Sequence, residues 1–140
     1  MLSAKDVMVS PVITVTPDET VEQVAQKIVT HHIGGMPVVD EGGKLVGIVT
    51  ESALLHMVHD QSVSQGVVAD YMTKNVVSVD ADQTISEAVT QIVDHGITRL
   101  PVTCEGNVVG MISRREVLRR ACEELTHRSQ RDWLRKLQAV

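Results

Sequence analysis

At 140 residues, 43% of them apolar, the chain is long enough to bury one core and too apolar to stay disordered. No run approaches ~18 uninterrupted apolar residues, which excludes a spanning helix by length alone. The net charge of −5 and the two aromatics, Tyr71 and Trp133, offer no stacking platform for single strands, so nucleic acid is not an expected partner.

The opening Met-Leu-Ser-Ala-Lys-Asp has no apolar signal region, and residence in the cytoplasm is the expectation. Val12–Val15 is a β-branched run and predicts a strand. Thr20-Val-Glu-Gln23 is a capping box, and Val21, Val24, Ala25, Ile28 and Val29 then fall on one stripe of a helix with one buried face. Met36–Val39 predicts a strand begun by Pro37, Glu41-Gly-Gly43 a tight turn, and Leu45–Val49 the returning arm of a hairpin. Thr50 is a good N-cap for a following helix, and the polar stretch Asp60–Gly66 reads as a linker.

The same order then recurs. Strand Val76–Val79, capping box Thr84–Glu87, stripe Ile85, Ala88, Val89, Ile92 and Val93, hairpin Leu100–Thr103 with Val108–Ile112, and cap Ser113 follow in turn. Residues 6–43 align without a gap on 70–107, with 14 identities in 38 pairs. Two copies are too few for a solenoid and point to a pseudo-twofold pair with a seam between similar halves.

With D-V-M at Asp6, D-Y-M at Asp70, H-x-I-x-x-x-P-V from His31 and from His95, and G-I-V-T and G-M-I-S before the last helix of each copy, the chain resembles a tandem pair of CBS (cystathionine β-synthase) domains, a Bateman module. The expected fold is α/β: two β-α-β-β-α repeats packed as one module, spanning 1–63 and 64–126, with a helical tail over 127–140. The resemblance implies a regulatory sensor that holds an adenosine-type ligand (AMP, ADP, ATP or S-adenosylmethionine) in composite clefts. It also implies a homodimer formed through the module helices and a separate effector protein, with no cofactor required.

The strand-to-helix corners at Thr50 and Ser113 combine a hydroxyl with free N–H groups, which suits an anion; helix capping alone explains both equally well. In the family an acid three residues after that hydroxyl takes the ribose hydroxyls. Here the matching places are Ala53, which cannot accept, and Glu116, one methylene longer than aspartate. The resemblance therefore ranks first the cleft of Ser113, Arg114, Arg115 and Glu116, completed by Ile13, Ile33, Gly34, Met36 and Pro37, with Arg99 reaching phosphate or simply solvated. The cleft of Thr50, Val77, Ile97 and Thr98 ranks second, weak or empty. The other reading, favoured by Ala53, is a scaffolding dimerisation module whose clefts have decayed.

Other constellations carry less. His56 and His59, with Asp60 beside them, lack the third and fourth ligands that a metal needs, and His31-His32 sits elsewhere. Cys104 and Cys122 are too few and too unpatterned for a disulfide framework. No nucleophile elbow and no phosphate-cradling Gly-rich loop before a lysine is present, so an enzyme is not expected. From Arg114 onward, eight Arg/Lys stand against four Asp/Glu (+4), whereas residues 1–113 have five against fourteen (−9). Arg119–Glu123 and Arg120–Glu124 are spaced to pair on a helix. The segment from Glu116 is one long helix or two. Its Trp133, Leu134 and Leu137 must dock on the module or hold a partner.

Overall fold

The computed structural model describes residues 2–138; Met1, Ala139 and Val140, the ends of the expected first repeat and tail, lie outside them. In the first half, helix α2 (Val21–His31) precedes a hairpin of β1 (Gly35–Val39) and β2 (Leu45–Thr50), then the single turns α3 (Glu51–Leu54) and α4 (His56–His59). In the second, β3 (Val79–Asp80), α5 (Ile85–His95) and the hairpin β4 (Arg99–Cys104)–β5 (Asn107–Ser113) lead into α6 (Arg114–Gln138). The hairpins pair in equivalent register, Gly35 opposite Thr50 and Arg99 opposite Ser113.

Both capping boxes form. Thr20 Oγ1 accepts from the Gln23 N–H at 3.1 Å, and Thr84 Oγ1 from the Glu87 N–H at 3.1 Å. Each helix ends on a left-handed residue, His32 or Gly96, where the α-helical ladder closes. Thr20→Ala should cost about 1 kcal/mol in urea unfolding, the usual loss for an N-cap.

Two expectations change, and one open alternative closes. Val12–Val15 does not form a regular strand: Val15 alone bridges Val38, with its N–H on the Pro37 carbonyl at 3.1 Å, and only Val79–Asp80 survives of the second run. Each run serves instead as an extended lead-in along the seam. The helical stripes are wider than the surface their own repeat covers, so Val29 and Val93 are 73% and 69% exposed. The segment after Ser113 is one uninterrupted helix of 25 residues.

Two cores form, and they do not follow the sequence halves. The first gathers Val15, Val21, Val24, Ile28, Met36, Val38, Val49 and Leu54, together with Val68, which comes after the linker. The second gathers Val79, Ala88, Ile92, Leu100, Val102 and Ile112, together with Ala4 from the other end of the chain. Helix α1 (Ala4–Val7) is held there by the Ala4 N–H on Gln83 O at 2.7 Å, the Lys5 N–H on Ala81 O at 3.1 Å, and a Lys5–Asp82 ion pair at 2.9 Å. Each repeat thus finishes the other's core with its leading segment.

Asp6 accepts hydrogen bonds from the Ser3 backbone and hydroxyl, which hold its carboxyl below the usual range. A lowered folded value stabilises above the unfolded pKa of ~3.9 and is lost as pH falls through the folded one. Asp6→Asn should therefore flatten the acid limb of a stability–pH curve measured by thermal melting.

Candidate functional site: the seam between the repeats

The repeats are stitched together by backbone. Ile48 and Thr73 exchange both hydrogen bonds (3.0 and 2.8 Å), and Val9 and Met111 do the same at the equivalent place (2.8 and 3.1 Å). The hairpin turns also meet, Leu45 N–H on Gly106 O at 3.1 Å and Val108 N–H on Gly43 O at 3.2 Å, with Lys44 Nζ donating to the Glu105 carbonyl. These ladders fix two corners, where β2 enters α3 and where β5 enters α6.

At the first corner a cavity of about 270 Å³ opens between Ile48 and Thr50 of one repeat and Asn75–Val77 and Ile97–Arg99 of the other. All four residues assigned to the second-ranked cleft (Thr50, Val77, Ile97 and Thr98) line it, and Arg99 joins them. Its volume is just below the ~300–1,000 Å³ of ordinary small-molecule sites.

The residues of the first-ranked cleft are more dispersed. Ile13 and Ile33 are half-buried against the first core, and Met36 and Pro37 are so deeply buried that only their backbone can meet a ligand. Gly34 lies beneath the Arg99 guanidinium: a Cβ there would stand 1.8 Å from its terminal nitrogen. Arg114 donates from Nε to the Ile97 carbonyl at 2.7 Å and lines a groove between α5 and α6, on the helical face. Arg115 is exposed. The Glu116 carboxylate pairs with Arg119 at 2.7 Å, and Arg119 also reaches Glu123 at 3.4 Å, the one of the two helix pairs read from spacing that forms.

Both corner hydroxyls act as caps. Thr50 Oγ1 accepts from the Ala53 N–H at 3.4 Å and Ser113 Oγ from the Glu116 N–H at 3.2 Å. The first helical N–H groups are also occupied, Glu51 by Gly34 O at 2.9 Å and Arg114 by Thr98 O at 3.1 Å. An anion at either corner thus meets fewer free donors than the sequence suggests, which gives Arg99 a larger share of the charge.

Sequence reasoning missed Asn75 and Val76 as cavity residues. Their equivalence to Pro11 and Val12 was visible in the repeat, but only the Ile48–Thr73 bridge turns that segment toward Thr50. Among the described residues, no group of three or more His, Cys, Asp and Glu side chains converges on a common metal position. None of the described helices is long and apolar enough to cross a membrane.

The profile of the CBS domain matches the chain twice, over residues 4–60 and 68–123. The chain belongs to the CBS domain family. It is 36% identical over 118 residues to inosine-5'-monophosphate dehydrogenase of Methanocaldococcus jannaschii, covering 84% of this chain and 23% of that enzyme. The first curated relatives are all longer, and the chain spans less than two thirds of each. Among solved structures it resembles the CBS pair of protein MJ0100 in complex with 5'-methylthioadenosine and S-adenosylmethionine (TM-score 0.79, 25% identity, 88% of this chain and 98% of that one). It also resembles CBSX2 of Arabidopsis thaliana in complex with AMP (TM-score 0.77, 25% identity, 86% and 96%). A CBS pair is a regulatory module, and in relatives such as the dehydrogenase it forms part of a larger enzyme.

Proposed function

We propose that this CBS pair is a regulatory sensor that binds an adenosine-type ligand at the seam and, as a homodimer, passes the signal to an effector protein. The observation that carries this reading is the backbone-stitched seam with an equivalent strand-to-helix corner in each repeat, one of which, beside Thr50, opens as a cavity that both repeats line. A ligand held there touches two bodies at once and favours the arrangement that fits it, which is how binding biases a conformational equilibrium. The complexes of MJ0100 with S-adenosylmethionine and of CBSX2 with AMP support the ligand class.

The two clefts divide the requirements. The Thr50 cleft is open but has Ala53 where a ribose needs an acceptor; the Ser113 cleft has Glu116, released for the sugar once it leaves Arg119. The nucleoside therefore prefers Ser113 and Glu116, and the Thr50 cleft takes a weaker second ligand. Calorimetry with AMP, ADP, ATP and S-adenosylmethionine tests this. Glu116→Ala should weaken the tighter site about tenfold or more, the value of a hydrogen bond to a charged group. Val77→Trp, which plugs the open cavity, should leave that site intact. The opposite pattern would move the main site to Thr50, and no binding by any of the four would remove the sensor function.

The dimer reading rests on Val29, Leu55, Val93 and Leu118, exposed apolar side chains presented by α2, the α3–α4 turn, α5 and α6. A scaffolding module is the second reading, supported by Ala53 and by the pairing of Glu116 with Arg119. Adenine nucleotide retained through purification, seen by mass spectrometry, separates it from the sensor.

A further inference from the structure

Helix α6 runs far past the module it belongs to. Its 25 residues extend about 37 Å, whereas the helical turns at the equivalent place in the first repeat stop at His59. Within the chain it packs on β5, α1 and α5, and every residue from Leu118 to Gln138 is exposed. Isolated helices are marginal in water without a packed face. This one nevertheless presents Trp133, Leu134 and Leu137 at 61%, 50% and 54% exposure, among Arg128, Arg131, Arg135 and Lys136. With Asp132 as the sole acid, residues 128–138 carry +3.

The first repeat has the complementary surface. Residues 51–66 contain Glu51 and Asp60 and no Lys or Arg, a charge of −2, and present Leu55 and Val58 at 63% and 74% exposure. The helical elements here are the single turns α3 and α4, where the second repeat has the 25-residue α6. We infer that the distal half of α6 is an inter-subunit strap that docks on α3–α4 of a second copy of this chain, which fixes a head-to-tail dimer. Charge decides the orientation. Head-to-head pairing sets +3 against +3 and −2 against −2, whereas head-to-tail pairing matches opposite signs twice, as a twofold interface repeats each contact. The strap rests on the dimer proposed above and extends it, since Leu118 of the same helix already lines the α5–α6 groove.

Trp133 is the sole tryptophan, so its emission reports the strap directly. Light scattering and fluorescence of the full chain across a dilution series should show a dimer with blue-shifted emission and a monomer with solvent-like emission. Val58→Glu, at an exposed site where folding is safe, should weaken the dimer at least tenfold and leave Trp133 solvated. Arg131→Glu with Arg135→Glu should do the same, and adding Glu51→Arg with Asp60→Arg should restore both signals. A dimer whose Trp133 emission stays solvent-like overturns the strap and leaves the dimer standing. A chain that stays monomeric overturns both. An emission shift that appears only with anionic vesicles or another protein also overturns it.

Discussion

Ala4→Asp is expected to unfold the second repeat first, at a cost of several kcal/mol. Ala4 is fully buried among Val79, Leu100 and Ile112, with no cation in that cluster to compensate a carboxylate. Burying an unpaired charge costs several kcal/mol even after relaxation, a large share of the ~5–15 kcal/mol that holds an ordinary domain together. The equivalent substitution by sequence, Val68→Asp, should strike the first core instead, because Val68 packs there at zero exposure. Hydrogen exchange separates the two: Ala4→Asp should strip protection from α5, β4 and β5 before α2 and β1, and Val68→Asp the reverse. Equal loss throughout in both variants would mean that the repeats unfold as one unit and that the exchange of leading segments does not set local stability.

Gly35→Ala is expected to cost about 1–3 kcal/mol, in the range of overpacking a filled site. A Cβ at Gly35 would stand 2.8 Å from the Val49 carbonyl oxygen and 3.3 Å from the Thr50 Cα, both of them backbone, so the hairpin itself must shift. The matching place in the second hairpin is held by Arg99, which limits the cost to a shift and makes it no forbidden conformation. Thr50 is the cap at the mouth of the cavity, so the same change should also weaken ligand binding there. Gly34→Ala is the contrast. Its Cβ meets only the far end of the Arg99 side chain, which can swing away, so urea unfolding should change little while anion affinity changes with the displaced guanidinium. A large stability loss in Gly34→Ala would show that the Arg99 contact is structural.

The repeat, both capping boxes with the helices they start, and both hairpins were legible in the sequence, because the boxes and turns are set within a few residues: Thr20 by Gln23, Thr84 by Glu87, the turns by their glycines. The resemblance to a CBS pair implied that Thr50, Val77, Ile97 and Thr98 share one cleft, and all four line the cavity. Long-range packing chose which core Ala4 and Val68 enter, turned Val29 and Val93 outward and left the open space beside Thr50. Each of these depends on packing between segments far apart in the chain. Periodicity says which side of a helix is apolar, but not how much of that side a neighbour covers. Charge spacing pairs Arg119 with Glu123, and only distance shows that Glu116 lies nearer, at 2.7 against 3.4 Å. The duplication made both clefts equally legible, and the side chains of the seam made them different.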